Sequence, residues 1–178
     1  MKEIQNGVCA PKGFRAAGIW CGIRRNQAKA DLAMIVSDVP CTAAGVYTKN
    51  KVKGAPLTVT KAHLADGHAQ AVICNSGNAN TCAPNGMEIA EQTCAIAADA
   101  LGLSAEDLIV ASTGVIGKEL SIEPFQTGIP KLVQRLSCSG SAEAADAIMT
   151  TDTRRKEVAV EFELGGRVCR LGAIAKGS

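Results

Sequence analysis

Ala71-Val-Ile-Cys74, then Asn75-Ser-Gly-Asn-Ala-Asn80, then the run from Met87 to Leu101 and finally Leu108-Ile-Val-Ala111 make one stretch in which the hydrophobic period changes twice. The first four residues are a short apolar run that enters a polar turn, which is the pattern of a buried strand. From Met87, small or apolar residues at Met87, Ala90, Cys94, Ala97 and Leu101 recur at helical spacing, while Glu88, Glu91 and Asp99 face water. Gly102 follows as a stop. Ser104-Ala-Glu-Asp107 has capping-box spacing and opens one helical turn before the strand-like Leu108-Ile-Val-Ala111. Strand, helix and strand in succession predict an α/β (α+β) protein, although periodicity does not give the strand order.

Toward the amino terminus, Ala30 to Val39 is an apolar run ended by Pro40 and reads as a strand. Gly45-Val-Tyr-Thr48 and Leu57-Thr-Val-Thr60 read as short β-type runs. Toward the carboxyl terminus, a helix is expected between Pro130 and Leu136. Another is expected between Ser141 and Met149, where Ala144, Ala145 and Ile148 make a narrow apolar face. The clearest local structure is a terminal hairpin, about residues 157–174. Val158, Val160, Phe162 and Leu164 alternate with Glu157, Ala159, Glu161 and Glu163, and Gly165-Gly166 suits a two-residue turn. With Leu164 opposite Arg167, one face pairs Phe162 with Cys169, Val160 with Leu171 and Val158 with Ala173, and is expected to be buried. The other face pairs Glu161 with Arg170.

At 178 residues the chain is expected to form one unit over residues 1–178, with no internal linker. Its charged fraction of 20% is that of an ordinary globular protein, which argues against disorder. A formal net charge of +2, with no basic run longer than Arg154-Arg155-Lys156, leaves no footprint for nucleic acid or a membrane surface. Aromatic residues make up 3% of the chain, too few for base-stacking platforms. The start at Met1 lacks the apolar core of a secretion signal, and no window approaches the roughly 18 apolar residues of a membrane span, so a cytoplasmic protein is expected. The eight cysteines read as mostly buried free thiols in a reducing compartment.

Two loops leave apolar strands and gather polar groups. Asn75 to Asn80 is one, although Asn, Ser and Gly are also simply good turn formers. Ser112-Thr113-Gly114-Val-Ile-Gly117 is the other: a glycine N–H beside a threonine hydroxyl supplies two donors able to hold an oxyanion. Its continuation to Lys118-Glu119 is not a phosphate loop, because the glycines are too close together and a glutamate follows the lysine. Met149-Thr-Thr-Asp-Thr153 places three hydroxyls and a carboxylate at a helix end, alone no more than a polar turn. No C-x-x-C pair occurs and His63 and His68 sit in a polar stretch, so no metal or cofactor is expected. No Gly-x-Ser-x-Gly elbow occurs either.

Taken together, Gly13-Phe-Arg-Ala-Ala-Gly18, Asn75-Ser-Gly-Asn-Ala-Asn80, Ala111-Ser-Thr-Gly-Val-Ile-Gly117, Ala147-Ile-Met-Thr-Thr-Asp-Thr153 and Ala175-Lys-Gly-Ser178 resemble, in order and over essentially the whole chain, the ornithine acetyltransferase family, also called bifunctional glutamate N-acetyltransferases. The resemblance implies a DmpA-like layered sandwich of β-sheets flanked by helices, completed by a second, beta chain. It also implies an alpha chain cut from a self-cleaving precursor and assembled with the beta chain into an alpha2beta2 heterotetramer in arginine biosynthesis. The nucleophile would be the beta chain's amino-terminal threonine, activated by its own α-amine. Acetyl would pass from N-acetyl-L-ornithine to L-glutamate, and in some members from acetyl-CoA.

By the same resemblance, Thr113 with its hydroxyl and Gly114 with its N–H would form the oxyanion hole, each such donor contributing about 2.7–4 kcal/mol of transition-state stabilisation. Thr150, first of the three hydroxyls in its run, and Lys176 match substrate-binding positions, with Lys176 suited to a carboxylate. Two rival readings stand beside this one. An amino-terminal-nucleophile aminopeptidase of related fold would release amino acids from peptides. A non-catalytic small-molecule-binding protein would be complete without a partner, whereas an alpha chain would expose an apolar face that its partner covers.

Overall fold

The computed structural model describes residues 1–177. Four strands form the central sheet: β2 (Phe14–Ile19), β3 (Leu32–Thr42), β4 (His68–Asn75) and β5 (Leu108–Ser112), side by side in that order. The first two pairings are antiparallel and β4 runs parallel to β5. A parallel neighbour requires a crossover, and helix α2 (Gly86–Leu101) supplies it. A second sheet joins β1 (Lys2–Ile4), β6 (Lys156–Leu164) and β7 (Arg167–Ala175) in the order β1-β6-β7.

The central sheet buries both faces. Ala17, Met34, Ile73 and Val110 stand in register across its four strands and pack with Val59, Ile89, Cys94, Phe125 and Leu132 in the larger core. The opposite face puts Ala16 and Ala33 against Ala144, Ala147 and Ile148 from and just after helix α4 (Ser141–Ala147), together with Cys9 and Ile174. Layers follow in the order helices, sheet, then α4 with the three-stranded sheet. No helix among the described residues is long and apolar enough to cross a membrane.

The strand–turn–helix–strand stretch from Ala71 to Ala111 folds as read, with α2 ending at Gly102. The turn before β5 is a 3-10 turn, Ala105–Asp107, in which the Ser104 hydroxyl bonds the Glu106 carboxylate instead of capping the backbone.

Several expectations are corrected. Leu57–Thr60 is not a strand but part of helix α1 (Ala55–His63), begun by Pro56 in its first turn. Val59 and Thr60 are buried against the sheet, so packing overrides the β preference of branched side chains. Gly45–Thr48 adopts no regular element. Pro40 does not end its strand. β3 continues to Thr42 through an irregularity between Val36 and Cys41, where a residue lacking an N–H is tolerated. Helix α3 runs Glu123–Gln134, starting seven residues before Pro130 and carrying that proline inside. An interior proline costs about 3 kcal/mol. Burying Phe125, Ile129 and Leu132, all at most 2% exposed, contributes about 1.5–3 kcal/mol each and wins.

The terminal hairpin has the expected register throughout, turned by Gly165 and Gly166 at φ 56° and 71°. Its faces are the reverse of expectation. Val158, Leu164 and Leu171 are 48%, 68% and 62% exposed, whereas Ala159 is 1% exposed. The Ala159–Gly172 side rests on the turn at Gly7–Cys9, and Glu161 pairs with Arg170 at 2.9 Å. The thiols also differ from expectation: only Cys9 and Cys94 are fully buried, and Cys82 and Cys138 are exposed. All eight cysteines are free.

Candidate active site

The loops after β4 and β5 leave the sheet at the same end. Thr113 N–H donates to the Asn75 carbonyl at 2.9 Å, and Val115 N–H donates to the Gly77 carbonyl at 3.3 Å. Gly114 lies between them at φ 135°. A Cβ there would stand 2.6 Å from the Asn78 nitrogen, so only glycine allows the loops to approach this closely. None of the hydrogen bonds among the described residues uses the Gly114 N–H or the Thr113 hydroxyl. Both donors border an open depression of about 530 Å³.

The same depression is lined by Gly77, Val115, Thr150, Thr151, Lys176 and Arg24. Residues 113, 114, 150 and 176, separated by up to 63 positions in the chain, are thus brought to one cavity. Thr153 does not line it. Ser178, the last residue of the terminal motif, lies outside the described residues. The charged lining consists of two cations, Arg24 and Lys176. That balance suits a ligand carrying a carboxylate.

Asparagines 75, 78 and 80 do not face this space. Their amides donate to the carbonyls of Asn78 at 2.8 Å, Lys118 at 3.1 Å and Gly86 at 2.7 Å respectively. The turn-forming reading of the motif therefore holds for its asparagines, and Gly77 is its contribution to the cavity.

Two further residues support the site, one unmarked in the sequence and the other read there only as the carboxylate of a polar turn. Arg24 is held by the buried carboxylate of Asp31, which accepts the Arg24 N–H at 2.8 Å and the Cys21 N–H at 2.7 Å. Its guanidinium donates to the Ser76 hydroxyl at 2.6 Å and to the Met149 carbonyl, and its stem lies over Gly77. Burial lowers the guanidinium from its ordinary value, with Asp31 opposing. The loop around Arg24 carries no pattern that marks it, but an aspartate opening the apolar run of β3 is a signal of a satisfied buried acid.

Asp152 is the second. Its side chain is 1% exposed. One oxygen accepts the Gly177 N–H at 3.0 Å and a bond from the Lys156 ammonium at 2.6 Å. The other accepts the Thr150 N–H at 3.1 Å and lies 4.0 Å from the Lys176 ammonium. The Lys156 bond, then the two backbone donors, hold its carboxyl well below the usual carboxylate range.

Comparison with known proteins decides the family. The ArgJ family model matches residues 15–178. The chain belongs to the ArgJ family. An arginine biosynthesis bifunctional protein ArgJ of Symbiobacterium thermophilum is 48% identical over 180 residues, covering 100% of this chain and 45% of that relative. ArgJ 1 of Nostoc is 44% identical, covering 99% and 43%. The chain therefore spans less than half the length of these curated ArgJ relatives. The crystal structure of an ArgJ from Bacillus halodurans superposes with a TM-score of 0.92 at 36% identity, covering 99% of this chain and 93% of that one. An ornithine acetyltransferase of Mycobacterium tuberculosis, solved in complex with ornithine, gives 0.90 at 37%, covering 99% and 95%. The expected α+β architecture is that of the solved ArgJ chains.

Proposed function

We propose that this chain is the alpha subunit of an acyltransferase that moves acetyl from N-acetyl-L-ornithine to L-glutamate in cytoplasmic arginine biosynthesis. The observation that carries the reading is the convergence of Thr113, Gly114, Thr150 and Lys176 on one cation-lined depression. The similarity to a solved ornithine acetyltransferase favours acetyl transfer over the aminopeptidase reading.

The chemistry divides between two chains. A threonine hydroxyl of the beta chain adds to the acetyl carbonyl carbon as its proton passes to the threonine's own α-amine. The carbonyl oxygen takes up the negative charge between the Thr113 hydroxyl and the Gly114 N–H. Collapse breaks the C–N bond, the departing ornithine amine takes the proton, and an acetyl ester remains on the threonine. The glutamate amine then attacks that ester through a second oxyanion in the same hole; collapse breaks the ester C–O bond, the amine's proton passes by way of the α-amine to the threonine oxygen, and N-acetyl-L-glutamate leaves. Lys176 meets the substrate carboxylate, and Thr150 offers a hydroxyl beside it. No cofactor enters this scheme.

The uncovered apolar face of the hairpin, around Val158, Leu164 and Leu171, supports a second chain. An alpha2beta2 assembly of a single 1–178 alpha domain with its beta chain is part of the same reading. The test is to assay the copurified chains for acetyl transfer from N-acetyl-L-ornithine to L-glutamate. A well-folded two-chain complex with no transfer would sink it, and peptide-amide hydrolysis instead would favour the aminopeptidase.

A further inference from the structure

Two lysines stand beside one buried carboxylate, and they are not equivalent. Lys156 makes a charge-assisted bond to Asp152 at 2.6 Å, whereas Lys176 stops at 4.0 Å, beyond hydrogen-bond reach. Lys156 also donates to the Gly177 carbonyl, and the Gly177 N–H returns to Asp152 at 3.0 Å. Gly177, the residue after Lys176, is thus held at both its N–H and its carbonyl. The second oxygen of Asp152 holds the Thr150 N–H at 3.1 Å.

We propose that Asp152 and Lys156 form a positioning pair: Asp152 fixes the backbone beside both Thr150 and Lys176, and Lys156 satisfies its charge, so that the Lys176 ammonium stays available for a substrate carboxylate. The identity of that substrate rests on the acetyl-transfer reading above; the geometry does not. Without Lys156, the nearest cation to Asp152 is Lys176, and the attraction between unit charges at such a separation is enough to draw it out of the depression.

The test uses the two-chain enzyme carrying Lys156→Met, alone and with Lys176→Met. Lys156→Met is expected to raise KM for L-glutamate about tenfold while kcat changes less than about threefold, the signature of lost binding common to ground and transition states. In the Lys176→Met background the same change should add less than about twofold, because both act through one ammonium. Lys156→Arg should restore KM. Calorimetric titration of L-glutamate should show the same loss of affinity without requiring turnover. An unchanged KM and affinity in Lys156→Met overturns the proposal, as does an equal loss in both backgrounds or no glutamate binding by the wild type. Absence of acetyl transfer with glutamate binding intact counts against the reaction alone, and the titration still decides the pair.

Discussion

The Thr60 hydroxyl donates to the Val110 carbonyl at 2.8 Å and accepts the Val110 N–H at 3.1 Å. One side chain of α1 thereby satisfies both backbone groups of Val110 on the free side of β5, with the His63 ring 2.8 Å from the Leu108 carbonyl two residues away. The edge of the central sheet is closed by a helix instead of another strand.

Thr60→Val keeps the shape of the side chain and strands two buried backbone groups. It is expected to destabilise the protein by about 1–3 kcal/mol, read as a lowered urea midpoint with an unchanged slope. Thr60→Ser should recover most of the loss.

Thr113→Ala removes a hydroxyl that bonds nothing among the described residues. Turnover in the two-chain enzyme should fall about 10²–10³-fold with the thermal midpoint nearly unmoved. Equal turnover would refute the oxyanion role, and a large drop in midpoint would make the residue structural.

Leu164→Lys with Leu171→Lys should leave the stability of the isolated chain within about 0.5 kcal/mol, since both side chains already face solvent. The same pair should reduce self-association and weaken recovery of the beta chain, measured by native mass. Undiminished recovery would remove this face from the interface.

Asp152 carries a pH prediction. Its carboxyl is depressed in the fold by Lys156 and two backbone donors. A depressed acid stabilises the fold above its unfolded value, about 3.9, and that contribution is lost as pH falls toward the folded value. Thermal midpoints followed from pH 7 down to pH 3 should decline on the acid side, and Asp152→Asn should flatten that decline while lowering the midpoint at pH 7. A parallel decline in the variant would assign the acid sensitivity elsewhere.

Local patterns in the chain determined a good deal. The strand-to-helix-to-strand stretch from Ala71 to Ala111 and the full register of the terminal hairpin were legible, because periodicity and turn residues act between near neighbours. So were the four positions now found around one depression, through motifs shared with a family. What the patterns could not set was anything that depends on which distant surface an element meets. Leu57–Thr60 reads as a strand until Val110 supplies a partner for the Thr60 hydroxyl. Pro130 reads as a helix start until the burial of Phe125 extends the helix backward. The hairpin's alternation shows that one face is apolar, but the side that packs inward was decided by Ala159 and Gly172 meeting the Gly7 turn. Arg24 and Asp152 follow the same rule: their roles arise from carbonyls, N–H groups and a lysine brought within hydrogen-bond reach only when the chain is folded.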